Sequence, residues 1–272
     1  MAGITEIRDP RKRAAQWMGT GLACLVYLFL LAPSLIVIPV SFGSKYELKF
    51  PPTEYSLDLY RIFFSSDSWT QPLFLSFRVA VVTTIIATTI AIPTAYAVVR
   101  YEFFGKKLLI GLITSPLVIP SVVFALGIYL YFSYMRLTGT TAGLIIAHTM
   151  FVLPYALVII SAGLQKLDPN LEFGAMLMGA GRFQMMMTVV LPQLYPSIAA
   201  GALFAFLISF DEVVISWFLA GPTTTTLSVK MFSAIQWEIS PVIAAVSTLL
   251  TVISLAVCLV NVGLQKKTET QN

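Results

Sequence analysis

Apolar residues run along this chain in six long blocks separated by short polar stretches. They extend from about Trp17 to Phe42, Leu73 to Val99, Leu108 to Phe132, Thr141 to Leu164, Pro196 to Leu219 and Val242 to Val262. A helix rises 1.5 Å per residue and the hydrocarbon core of a bilayer is about 30 Å thick, so each block is long enough to cross it. The pattern predicts an all-α integral membrane protein with about six transmembrane helices. Arg8, Arg11, Lys12 and Arg13 precede the first block in the manner of a signal peptide. The block is too long for such a leader and lacks a small-residue cleavage site, so it reads as a retained span. Pro33 and Pro39 are tolerable inside it because neighbouring helices can satisfy freed carbonyls.

The polar stretches give an orientation. Eleven Lys and Arg fall in the amino tail, the turn at 100–107, the loop at 165–188 and the carboxyl tail, against five (Lys45, Lys49, Arg61, Arg136 and Lys230) on the other side. The excess places both termini in the cytoplasm, and six is the even number of spans that this requires. The expected organisation is a cytoplasmic tail over 1–16, one transmembrane domain over 17–264 with a cytoplasmic loop at 165–192, and a cytoplasmic tail over 265–272.

Composition narrows the class. Of 272 residues 57% are hydrophobic and 11% charged, with a mean hydropathy of +0.85. Soluble domains carry about 25% charged residues, so this chain cannot cover a water-soluble surface. The net charge of +4 does not signal nucleic acid, because the basic residues flank apolar runs. Cys24 and Cys258 both fall inside apolar runs, which argues against a disulfide and for small buried hydrophobes. His148 is the single histidine, so no multi-histidine metal site exists, and a satisfied buried polar role suits it. Trp17, Tyr101 and Trp217 near block ends fit an interfacial belt.

The loop before the fifth block carries the most information. Asp168 is a good N-cap, Pro169 suits the first helical position, and Glu172 lies near the positive end of the dipole. Gly181 is placed to end the helix. The segment predicts a helix of about three turns, too short to span, with Leu171, Ala175 and Met178 on one apolar face. Such a helix docks into a groove of a soluble partner or lies at the bilayer interface. Met185, Met186 and Met187 soften the loop and its docking surface.

Nine residues separate Gly179 from Val189, which is followed by Val190, Leu191 and Pro192. This resembles the cytoplasmic loop of permeases of binding-protein-dependent ABC importers, written Glu-Ala-Ala, three residues, Gly, nine residues, Ile-x-Leu-Pro. Ala175 matches the second alanine. Phe173 and Gly174 stand where the usual Glu and first Ala would be, with Glu172 just upstream. Leu194 to Leu203, Ser209 to Ile215, Gly221-Pro222, Thr226 to Val229, Ala147-His148 and Leu153-Pro154-Tyr155 look like the spermidine/putrescine branch of that family. The resemblance implies a type I importer fold and a permease subunit for polyamines, a related small amine or an opine-like solute. It also implies coupling to the ATPase through Glu172, Ala175, Gly179, Leu191 and Pro192. The implied partners are an ATP-binding cassette ATPase dimer that binds ATP and Mg²⁺, a second and paralogous permease, and an extracytoplasmic binding protein. This chain would hold no cofactor of its own.

Asp211 and Glu212 lie within the fifth block. A charge at the bilayer centre costs about 2.5–3.5 kcal/mol on insertion scales, so these residues should line a translocation path or brace the outer gate against a basic residue. Arg78, about five residues into its block, should snorkel or pair with an outer-loop acid. The chain has no Gly-x-Ser-x-Gly, no paired metal-ligand motif and no Walker A sequence, which argues against an enzyme and excludes a self-contained ATPase. An ion-coupled secondary transporter remains the alternative.

Overall fold

The computed structural model describes residues 10–46, 48–238 and 240–269, with side chains between 18 and 255. The regular elements among them are all helical. The chain divides into two compact units, Met1–Ser65 with Ile239–Asn272, and Ser66–Glu238.

The first unit contains α1 (Pro10–Val40), α2 (Asp58–Ser65) and α12 (Val242–Glu269). α12 packs against both of the others. The end of α1 is pinned by Ser41, whose hydroxyl donates to the Ile38 carbonyl at 2.6 Å and shares a hydrogen bond of 2.6 Å with the Tyr60 hydroxyl of α2. Residues 18–31 of α1 are all exposed. Cys24 is exposed, contrary to the expectation of a buried thiol, because α1 has few neighbours in its own chain. The side chains of Trp17 and Cys258, and the basic residues of both tails, lie outside the described residues.

In the second unit, α3 (Asp67–Arg100), α6 (Thr141–Gln165) and α9 (Leu191–Asp211) pack mutually and form the core. Their shared faces are lined by small residues: Ala80, Ala87, Ala91 and Ala95 on α3, Ala147 and Ala156 on α6, and Ala205 on α9 are all fully buried. Small side chains let backbones approach closely where lipid offers no hydrophobic drive to associate. Gly163 of α6 shows how closely, since a Cβ there would collide with the Ser197 side chain of α9.

Three expectations are corrected here. The third block is not one straight helix: α4 (Lys106–Thr114) and a 3₁₀ turn (Ser115–Leu117) meet α5 (Ser121–Tyr134) at a bend of 106°. Pro116 and Pro120 flank that bend, and a proline both removes an N–H and forces the preceding residue away from helical geometry. The second block begins at Asp67 rather than Leu73, and the loop before it already holds α2. The fifth block starts earlier and stops earlier than its hydropathy suggests. α8 (Arg182–Met185) runs through a π turn (Met186–Val190) into α9, so the three methionines belong to the helical entry, with Met185 in the core. α9 then ends at Asp211, and α10 (Val214–Leu219) and α11 (Leu227–Ser233) follow as separate short helices. Among the described residues four helices are long and apolar enough to cross a membrane, and the bent pair counts as a fifth candidate span; the side chains of α12 are described only as far as Leu255.

Replacing Gly163 with Leu should force α6 and α9 apart, at the roughly 1–3 kcal/mol typical of overpacking. Thermal unfolding in detergent is expected to show a lower midpoint than for Gly111→Leu, where a side chain meets nothing within 4 Å. Equal midpoints would remove Gly163 from the packing argument.

Candidate functional site

Two groupings stand out in the second unit, one at each end of its helices. At the end where α3 finishes, a short helix α7 (Pro169–Leu177) follows α6. The Asp168 carboxylate accepts the Asn170 N–H at 2.9 Å, and Pro169 occupies the first turn, as the residue types require. The helix ends at Leu177, not at Gly181. Gly179 has φ +90°, and its N–H and that of Ala180 donate to the Met176 and Ala175 carbonyls at 3.0 and 3.1 Å. This is a Schellman closure, and the left-handed residue it needs is Gly179, while Gly181 stands before α8.

Leu171, Ala175 and Met178 do not share a face. Ala175 is buried with Glu172, whereas Leu171, Phe173, Leu177 and Met178 are exposed, the last two at 89% and 85%. Glu172 explains which side turns inward. Its carboxylate lies 2.7 Å from Nη2 of Arg100, accepts a hydrogen bond from Nε at 2.8 Å, and accepts another from the Tyr96 hydroxyl at 2.8 Å. Arg100 also donates to the Leu167 carbonyl at 3.0 Å. With side-chain exposures of 13% and 10%, the pair is largely out of water. Glu172 is therefore directed into its own chain and fixes α7 to the end of α3. The other residues expected in coupling lie apart: Gly179 at the helix end, and Leu191 and Pro192 at the start of α9, with Pro192 exposed. Sequence reasoning missed Arg100 and Tyr96, whose partner lies 72 and 76 positions away.

At the opposite end, Asp211 closes α9 and Glu212 stands in extended geometry before α10. Glu212 Oε1 accepts the Ile215 N–H at 3.0 Å and so caps α10. Both carboxylates, with Phe204, Leu207 and Ile208, line an open cavity of about 310 Å³. Among the described residues neither forms an ion pair. His148 of α6 is buried, with hydrogen bonds of 2.9 Å from Nδ1 to Ser209 of α9 and from Nε2 to Ser216 of α10. It is thus the satisfied polar residue expected of it. Arg78 is exposed and makes no ion pair among the described residues. Because α3 begins at Asp67, Arg78 lies about 16 Å along the helix, deeper than the block boundary implied. Tyr101 and Trp217 are both exposed.

Long apolar helices with one short, capped, outward-facing apolar helix at one end and an unpaired acidic break at the other describe a membrane transport subunit. The chain belongs to the family of binding-protein-dependent transport system inner membrane components, whose profile matches residues 87–269. It is a permease subunit of a binding-protein-dependent ABC importer, a transport component of the inner membrane and not an enzyme. The spermidine/putrescine transport system permease protein PotC of Escherichia coli is 30% identical over 236 residues, covering 86% of this chain and 89% of that protein. The putrescine transport system permease protein PotI of the same organism is 32% identical over 233 residues, covering 83% of each. Among solved structures, a bacterial ABC transporter that imports the acidic polysaccharide alginate shares the fold, with TM-score 0.73 and 14% identity over 96% of this chain and 99% of that one.

Removing one member of a buried ion pair typically costs about 3–5 kcal/mol, because the other charge is left uncompensated. Arg100→Leu is therefore expected to lower the unfolding midpoint sharply, and Arg100→Leu with Glu172→Leu to recover much of the loss. Additive losses in that double-mutant cycle would show that the pair does not couple the two helices.

Proposed function

We propose that this chain is the membrane permease of a polyamine importer, in which α7 receives motion from an ATPase and the α9–α10 break lines the path of the cation. The observation that carries the substrate class is the pair of carboxylates beside an open cavity, ion-paired to no cation among the described residues. A di- or polycationic solute supplies that charge. The similarity to PotC and PotI supports the same class.

Within this reading the chain has six spans, counting the bent pair and α12, with both termini in the cytoplasm. The transmembrane domain extends over 17–264 between the tails at 1–16 and 265–272, and the coupling loop is 165–192. The excess of Lys and Arg on the side of the tails and of α7 supports that orientation. The exposed Leu171, Phe173, Leu177 and Met178 form the surface that fits an apolar groove on an ATP-binding cassette subunit. Glu172 and Ala175 act beneath that surface. Gly179 sets its end, and Leu191 and Pro192 begin the span that carries the motion onward. ATP and Mg²⁺ are held by the ATPase dimer, a paralogous permease completes the membrane pore, and an extracytoplasmic binding protein delivers the substrate. Closure of the ATPase draws the α7 helices together, and the spans reopen toward the outside.

The test is uptake of labelled putrescine and spermidine by the complete transporter in proteoliposomes. Uptake that depends on ATP and on the binding protein is expected, whereas a transporter that ignores both amines would overturn the substrate. Asp211→Asn should reduce uptake while leaving the assembled complex intact, and full uptake by that variant would remove Asp211 from the path. Gly179→Leu should retain ATP hydrolysis but lose its link to uptake. The space around Gly179 is open, so the cost is that of forcing a side chain into left-handed backbone, roughly 1–2 kcal/mol. Wild-type coupling in Gly179→Leu would refute the role assigned to the end of α7.

A further inference from the structure

The apolar run from Ala205 to Phe218 contains neither proline nor glycine, yet the helix breaks inside it, at Glu212 and Val213. Nothing in the backbone chemistry of those residues forbids a continuous helix. The break is therefore held by contacts, and the hydrogen bonds around it identify them. Ser228 of α11 donates to the Phe210 carbonyl at 2.7 Å, which serves the end of α9. Glu212 caps α10, which serves the start of the next helix. Each of these acts on one side. His148 acts on both, because its two ring nitrogens are bonded to Ser209, two residues before Asp211, and to Ser216, three residues after Val213.

We propose that His148 is a positioning residue that clasps α9 to α10 and so sets the direction in which Glu212 faces the cavity beside Asp211. The chemistry suits the task. A neutral imidazole has one donor and one acceptor, and a serine hydroxyl can supply either, so the two serines satisfy the ring in either tautomer. His148, Ser209 and Ser216 are 1%, 3% and 0% exposed, so no water competes for these bonds. Without the clasp, Glu212 is free to take the helical backbone angles that Val213 already has. α9 and α10 then join, and the Glu212 carboxylate turns about the helix axis away from its present position beside Asp211. The clasp differs in kind from an ordinary satisfied core histidine, because its two partners lie on the two sides of a break rather than on one rigid helix.

This inference rests on the reading that the break lines the translocation path, and the experiment separates the two. The complete transporter, cysteine-free apart from a nitroxide label at Val213→Cys, is reconstituted in lipid with Ser209→Ala, Ser216→Ala, or both together with His148→Leu. Label mobility, unfolding midpoint and substrate uptake are measured. Each single serine variant is expected to speed motion of the label and to lower uptake roughly tenfold, within the range found for residues that couple without touching ligand. The triple variant removes all three polar groups at once, so no orphaned donor or acceptor is left and the midpoint should return toward that of the unmutated transporter. Uptake should stay low. Recovery of uptake in the triple variant would overturn the clasp and leave His148 a satisfied core residue. Should the triple variant fail to assemble, the single variants decide, and an unchanged label in both overturns the proposal. If Asp211→Asn transports normally, the path reading fails, while the label still reports on the clasp.

Discussion

A backbone carbonyl or N–H freed inside an apolar bundle has no water to bond, and each unsatisfied group there costs several kcal/mol. That constraint governs where the helices of this chain are allowed to stop. α7 ends against Gly179, whose left-handed backbone returns two N–H groups to the last carbonyls. α6 starts on Thr140, whose hydroxyl accepts the Gly143 N–H at 3.0 Å. α9 can stop at Asp211 because Ser228 takes up the Phe210 carbonyl and Glu212 takes up an N–H of α10. The interruptions are also where chemistry is found. The acidic residues sit at a helix break, and the outward-facing apolar helix sits between two longer ones.

The core of the second unit is built for close approach and not for bulk. Alanine stripes on α3, α6 and α9, with Gly163 against Ser197, bring the helices near enough for side-chain hydrogen bonds to span them. His148 reaches two serines from α6, and Ser76 of α3 accepts the Leu227 N–H at 2.8 Å. At the other end the Arg100–Glu172 pair ties α7 to α3. Because α3 also packs along α6 and α9, a displacement of α7 passes into a helix in contact with the core. The same tight packing that excludes lipid gives the bundle a way to move as connected parts.

The fold is shared with an importer of an acidic polysaccharide at only 14% identity, while PotC and PotI stand at 30% and 32%. An architecture that serves such different cargo leaves specificity to a few side chains facing the path and to the protein that delivers the solute. In this chain the departure in the loop that holds α7 is local. Phe173 stands outward where the family's loop has an acid, while the charge at Glu172 is used internally. The outward face is correspondingly more apolar.

The amino-acid sequence by itself determined the class: low charge, long apolar blocks and the Gly179-to-Pro192 spacing are local properties, readable wherever the chain lies. The same holds for the cap at Asp168 and for the span from Thr141 to about Leu164, because capping and hydropathy act over a few neighbouring residues. The bend at Pro116 and Pro120 was legible in principle, since proline acts on its own turn, although hydropathy alone runs straight through it. Only the tertiary structure decided that Glu172 turns inward, because Arg100 and Tyr96 are far away in the chain. Only the tertiary structure decided that α9 stops at Asp211. No breaker lies in that stretch, and the groups that hold it open come from α6 and α11. Hydropathy records how much a residue gains by leaving water, but a break inside an apolar run depends on which polar groups other helices bring to it.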